Sequence, residues 1–282
     1  MTDGDWLPEA ARKRMGRFDA SGLRTSLLSV PGAVGIESVG LSAVGEVMGC
    51  IVQQVGWVGG ATYGVGGAAA FNGGNYLGSV SYAPYVNALY HGYDTALARM
   101  FTEARAMGAD GVVGVRLTVS RLGENNQEFV ALGTAVRANS SVRPRKLFST
   151  ELAGQDVAKL MHAGWVPARI AIGIAVETQF LDYASRNQMS LMAGNVEVQA
   201  PTHLITRVRA QARERFAKHA KDVHADGAIV SNMTLRSWHQ EANGAPLLCA
   251  ESSVFGSTIA RFHTGRKAPT SALKIMPLRP TK

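Results

Sequence analysis

The segment Arg105-Ala106-Met107-Gly108-Ala109-Asp110-Gly111-Val112-Val113 returns 116 positions later as Lys221-Asp222-Val223-His224-Ala225-Asp226-Gly227-Ala228-Ile229. A repeat decides the fold, because each copy is a supersecondary unit that buries its apolar face against its neighbour. Upstream of the first copy, Ala88, Leu89, Ala96, Leu97, Met100, Phe101 and Ala104 recur at helical spacing over about 85–107. Upstream of the second, Leu204, Ile205, Val208, Ala212, Phe216 and Ala220 do the same from Pro201-Thr202 onward, and Pro201 suits a first helical turn. Downstream, Val112–Val119 and Ala228–Leu235 read as strands. Gly111 and Gly227 are expected to carry the positive-φ turn between helix and strand.

Polar turns follow at Gly123–Asn126 and Glu241–Gly244, then returning strands at Phe129–Arg137 and Ser253–Arg261. The shared Gly133 and Gly256 raise the offset to 123, so the second hairpin is the longer one. At the front of each copy, Leu27–Val30 and Leu147–Thr150 read as opening strands, and Val47–Val52 matches Ile170–Val176. Each copy is expected to run strand, strand, helix, strand, strand. The fold class is α/β of the α+β kind, in two tandem units. The boundaries are an N-terminal extension at 1–22, a first repeat at 23–137, a linker at 138–146, a second repeat at 147–263 and a basic tail at 264–282.

Composition agrees with a folded chain. Of 282 residues, 46% are apolar and 18% charged, enough apolar material for a core. The start, Met1-Thr2-Asp3-Gly4-Asp5, is acidic, unlike a secretory signal, and a cytoplasmic location is expected. Of the net charge of +8, five charges lie in the tail at Arg266, Lys267, Lys274, Arg279 and Lys282, which leaves an ordinary globular balance. That argues against a nucleic-acid groove, which would gather its cations on one face of the fold. The tail reads as a solvated terminus. The alternative is a peptide that docks on a partner protein through Leu273, Ile275, Met276 and Leu278.

Three stretches resemble the YbjQ-like family, often labelled "heavy-metal-binding": Gly45-Glu46-Val47-Met48-Gly49, the run Glu103–Val115, and Gly133-Thr134-Ala135-Val136. The second copy matches more loosely through Ala163–Pro167, Ala225-Asp226-Gly227 and Gly256-Ser257. The resemblance implies a dodecin-like subunit, a small sheet with one long helix, assembled into a ring with pentamer-like symmetry or a multiple of it. It implies no ligand set.

The residues themselves give little chemistry. Cys50 and Cys249 are too few for a disulfide framework or a four-thiolate site. Both read as small buried thiols. The alternative is a soft or divalent metal held between subunits, with Cys50, Cys249 and His224 as candidate ligands and Glu251 two residues after Cys249 on the same strand face. His219 and His224, five apart, point to different helix faces. Asp110 and Asp226 read as turn residues whose carboxylates bond nearby backbone N–H groups. There is no Gly-x-Ser-x-Gly elbow, Walker loop or His-Glu-x-x-His helix, so no catalytic residue and no cofactor is assigned.

From Val47 to Tyr93 the chain holds no charged residue and eleven glycines. Asn72, Asn75, Gln53 and Gln54 interrupt it, so no membrane span is expected. Gly56, Trp57, Gly60, Tyr63, Gly64, Phe71 and Tyr76 instead read as an assembly surface between subunits. The function expected is a non-enzymatic ring or shell-like homo-oligomer, scaffold or binding module. The alternative is a heavy-metal or small-ligand binder.

Overall fold

The computed structural model describes residues 25–55, 82–123, 125–141, 143–190, 193–242 and 245–261, with positions 9, 11–13, 15 and 16. The assembly residues nominated between Gly56 and Tyr76, and the basic tail, lie outside the described residues.

The first unit runs α1 (Val30–Ser38), β1 (Leu41–Gln54), α2 (Ala83–Ala106), β2 (Gly111–Leu122) and β3 (Asn126–Ala138). The second opens with β4 (Phe148–Ser149) and continues as α3 (Gly154–His162), β5 (Trp165–Phe180), a short α4 (Tyr183–Gln188), α5 (Gln199–Asp222), β6 (Gly227–Ala242) and β7 (Ala245–Arg261). Both long helices begin slightly earlier than the apolar pattern alone places them. In α2, Pro84 occupies the first turn, where its missing N–H leaves no bond unmade.

Sheet order is β1-β3-β2-β4 in the first sheet and β5-β7-β6 in the second. The registers correspond strand for strand. Met48 pairs with Leu132 and Cys50 with Val130, as Ile172 pairs with Phe255 and Ile174 with Ser253. The repeat is therefore a repeat of hydrogen-bond register as well as of sequence.

Four layers stack as first sheet, α2, second sheet, α5. Tyr85, Leu89 and Met100 of α2 share one core with Val47 and Phe129 on one side and Ile172, Ile174 and Phe255 on the other. Alternate residues of β5, Ala171 and Ala175, turn instead toward Leu204, Val208, Ala212 and Phe216 of α5. Each fully buried Val, Ile or Leu here contributes about 1.5–3 kcal/mol. A smaller core of Ile36, Leu41, Val113, Val136 and Val157 lies around α1 and α3.

Glycine sets the helix–sheet distance in both units. A Cβ at Gly49 would run into the backbone of Ala96 and Met100, and one at Gly173 into that of Ala212 and Phe216. Only a residue without a side chain allows backbone to approach so closely.

Three expectations are corrected. First, the positive φ falls not at Gly111 and Gly227 but three residues earlier, at Gly108 (φ 69°) and His224 (φ 55°), where each helix ends. Gly111 and Gly227 are already the first residues of their strands. Second, Leu27–Val30 is not a strand. Ser29 caps α1 by accepting from the Gly32 N–H, and the helix begins at Val30. Third, Phe148–Ser149 is a strand but joins the other unit's sheet, parallel to Gly111-Val112. Aligned on the helix caps Ser29 and Ala153, Leu27 corresponds to Glu151 rather than to Leu147. Each unit is thus an opening segment, a short helix, a strand, a long helix and two strands.

Candidate functional site

Among the described residues, the contact between the two units gathers the densest set of specific side-chain contacts. Tyrosines at helical spacing on and just before α2 meet the second sheet. The Tyr82 hydroxyl donates to Gln240 Oε1 at 2.8 Å and lies 3.2 Å from Cys249 Sγ. The Tyr85 hydroxyl donates to Glu251 Oε2 at 2.7 Å. The Tyr90 hydroxyl accepts from the Ile174 N–H at 2.8 Å. The Tyr93 ring sits edge-on to both Phe129 (5.1 Å) and Phe255 (5.3 Å), bridging the two sheets. Each ring buries a large apolar body, and the hydroxyls of Tyr82, Tyr85 and Tyr90 find polar partners.

Burial favours the neutral form of the tyrosines and of Cys249. It pushes the Tyr82, Tyr85 and Tyr93 phenols up, with the Glu251 charge adding to the effect at Tyr85. Burial likewise raises the Cys249 thiol, so at neutral pH it is a thiol and not a ready nucleophile.

The edge strands are guarded by one device used twice. At β1, Glu103 Oε2 accepts from the Met48 N–H at 2.9 Å and Arg99 donates to the Cys50 carbonyl. At β5, His219 Nδ1 accepts from the Ile172 N–H at 3.3 Å and Arg215 donates to the Ile174 carbonyl. Side chains that occupy edge backbone groups block further strand pairing there. The repeated aspartates also hold strands. Asp110 Oδ2 accepts from the Ala138 N–H and Asp226 Oδ2 from the Arg261 N–H, each at 2.8 Å. The partner amide is thus on the third strand of each unit, farther along the chain than a local turn contact. Arg143 of the linker adds an ion pair to Asp110 at 2.8 Å.

The nominated metal ligands are placed apart. Cys50 is half-buried in β1, Cys249 is buried in β7 against Tyr82, and His224 is exposed beyond the end of α5. Cys249 and Glu251 do share a strand face, as their spacing implies, and each meets a tyrosine. Among the described residues, no three His, Cys, Asp or Glu side chains converge on a point. An open cleft of about 560 Å³ follows the free edge of β5, lined by Tyr82, Tyr90, Glu177, Arg215, Lys218 and His219 among others.

The sequence reading missed the tyrosine layer. Its signal was present as Tyr82, Tyr85, Tyr90 and Tyr93 at helical spacing, but spacing alone does not say that a helix is covered on two sides.

Residues 41–139 match the YbjQ family model, described as "Putative heavy-metal-binding". The match runs from β1 through β3, and the second unit repeats the architecture of that stretch. An encapsulin nanocompartment protein of Mycobacterium tuberculosis is 35% identical over 49% of this chain and 58% of its own length. UPF0145 proteins of Halorubrum lacusprofundi and Natronomonas pharaonis are 45% and 47% identical over 19% of this chain and 51% of theirs. The chain therefore spans between half and three fifths of these relatives. Among the described residues no helix is long and apolar enough to cross a membrane.

Proposed function

We propose that this protein is a non-enzymatic, cytoplasmic homo-oligomer that self-assembles into a ring or shell-like particle and serves as a scaffold or binding module. The observation that carries the reading is the contact within the chain. A complete sheet lies across a neighbouring unit's helix, anchored by Tyr82, Tyr85, Tyr90 and Tyr93. A further unit can repeat such a contact. Likeness to a protein named for a nanocompartment supports the same reading. So does the uncharged stretch containing Gly56, Trp57, Gly60, Tyr63, Gly64, Phe71 and Tyr76, which suits burial between subunits. Chains of two units close only rings with an even number of units. The basic tail offers a separate contact for a protein partner.

Light scattering on the full chain tests the proposal. The expected mass is a multiple of 29.9 kDa, and a clean monomer at micromolar concentration would overturn it.

The family description favours a second reading, a metal or small-ligand binder. The metal would sit between subunits on Cys50, Cys249 or His224, and a small ligand would take the cleft beside β5. Capture by Cys249 requires loss of a thiol proton that burial makes harder to remove. Elemental analysis of protein purified without an affinity tag, with thermal shifts on adding zinc, copper or nickel, decides this reading.

A further inference from the structure

The second unit docks on the first through three contacts, and among the described residues the matching surfaces on the outer ends of the chain have nothing over them. One contact is the opening strand. Phe148–Ser149 adds to the edge of β2, with Thr150 N–H donating to the Val112 carbonyl at 3.0 Å and Gly114 N–H to the Leu152 carbonyl at 3.0 Å. Gly111, Val112 and Val113 are buried there. On β6 the equivalent place has no strand beside it among the described residues. The sheet ends at β6, Ala228 is exposed and Val230 is 51% exposed. At Gly111 an added Cβ would strike the Phe148 ring, whereas at Gly227 it would meet only Ile259 of its own sheet.

The segment that would fill this slot is also open. Thr25-Ser26 stands where Ser149-Thr150 stands in the second unit. The latter pair is buried and the former exposed. The correspondence is fixed by hydrogen bonds. Leu27 N–H donates to Thr134 Oγ1 at 3.0 Å, as Glu151 N–H donates to Ser257 Oγ at 3.0 Å.

The sheet-on-helix contact follows the same rule; the helix-on-helix contact matches in exposure, with Val30 and Asp156 standing where Gly154 and Gly32 meet backbone to backbone. Gly154 and Ala158 of α3 are buried, and Gly154 packs on Gly32 of α1. Their counterparts Val30 and Val34 are 80% and 62% exposed. The face of the second sheet made by Ile172, Ile174 and Phe255 is covered by α2. Its counterpart, Met48, Cys50 and Leu132, is only half-buried. On α5 the positions of Tyr93 and Leu97 are taken by the exposed Arg209 and Arg213, while Glu46 stands on the first sheet at the position of Ile170. The outer pair of surfaces thus trades apolar contact for opposite charge.

We infer that copies join head to tail. The opening segment and outer sheet face of one copy's first unit dock on β6, α5 and α3 of another copy's second unit, as the second unit docks on the first within one chain. The contact is heterologous, so it propagates until a ring or shell closes. Strand addition at β6 supplies main-chain hydrogen bonds, and the sheet-on-helix face supplies the area. The inference rests on the homo-oligomer reading and specifies its interface.

Two variants test it. Leu132→Arg places a charge on the outer sheet face, and Ala228→Arg places one beside the open edge. Each changes a partly or fully exposed position, so circular dichroism should match the parent. Each alone should fall to a single-chain mass by light scattering. Mixed in equal amounts, they should form a two-chain complex and stop there, because each keeps one intact end. If the parent is itself a monomer, the homo-oligomer reading fails. If the parent is large and the variants stay large, or the mixture stays monomeric, head-to-tail docking is wrong while the oligomer stands. If Ala228→Arg fails to fold, Val230→Lys on the same edge replaces it under the same criteria.

Discussion

The two units share register, edge guards and helix–sheet glycines, yet their long helices differ in environment. α2 is covered on both sides and carries tyrosines on its second face, whereas α5 is covered on one side and carries Arg209 and Arg213 there. The same backbone plan therefore supports an inner helix and an outer helix. What separates them is the chemistry of one stripe of side chains, chosen according to whether a sheet of the same chain lies over it.

The largest expected effect attacks what the units share. Gly173→Val forces a side chain into the backbone of α5, beyond the about 1–3 kcal/mol typical of an overpacked core. The second unit should lose its cooperative unfolding, read by urea titration of circular dichroism, and Gly49→Val should do the same to the first. The next prediction attacks the difference. Tyr93→Ala removes a ring packed between Phe129 and Phe255 and should cost about 3–5 kcal/mol. Arg209→Ala, at the equivalent exposed position, should change the stability of dissociated chains by less than about 0.5 kcal/mol. Equal losses would mean that the helices are not inner and outer.

A smaller gain is expected where the second unit departs from the first at its helix end. His224 holds the left-handed conformation that Gly108 holds at no steric cost. His224→Gly should raise stability by about 1 kcal/mol in a thermal melt. Unchanged metal uptake in that variant would remove His224 from the ligand candidates.

The smallest effect depends on pH. Burial raises the Glu151 carboxyl above its ordinary value, against a hydrogen bond from Ser231 that lowers it. A folded-state value above the unfolded one means that the native protein holds the proton longer. The stability Glu151 gives is then complete below the unfolded carboxyl value and declines as pH rises through the folded one. Glu151→Gln should therefore stabilise by less than about 1 kcal/mol at pH 7 and by nothing near pH 4. A gain that grows on acidification would contradict the assignment.

Much of this plan is legible in the residues. The Ala-Asp-Gly segments, the helical spacing before them and the β-branched runs after them mark the long helices and hairpins, because propensity and periodicity act over neighbouring residues. Gly133 and Gly256 place the return strands in register. The front of each unit is less legible. Leu27–Val30 and Phe148–Ser149 have similar strand-like composition, but Ser29 caps a helix in one and Asp110 and Val112 carbonyls capture the other. Four residues of slip in matching them follow from reading composition where the decisive partners lie far along the chain.

The sequence by itself determined the duplication and the long helices with their following hairpins, since these rest on local spacing; the aspartates read as local turn residues and instead bond amides 28 and 35 residues away. Only the tertiary structure decided that β4 crosses into the first sheet, that α2 lies between two sheets, and that the tyrosines rather than the cysteines form the specific layer. Those outcomes depend on which surface covers which. Burial is set by contacts between segments about 80–170 residues apart, such as Tyr82 with Cys249 and Tyr90 with Ile174, and no local pattern encodes them.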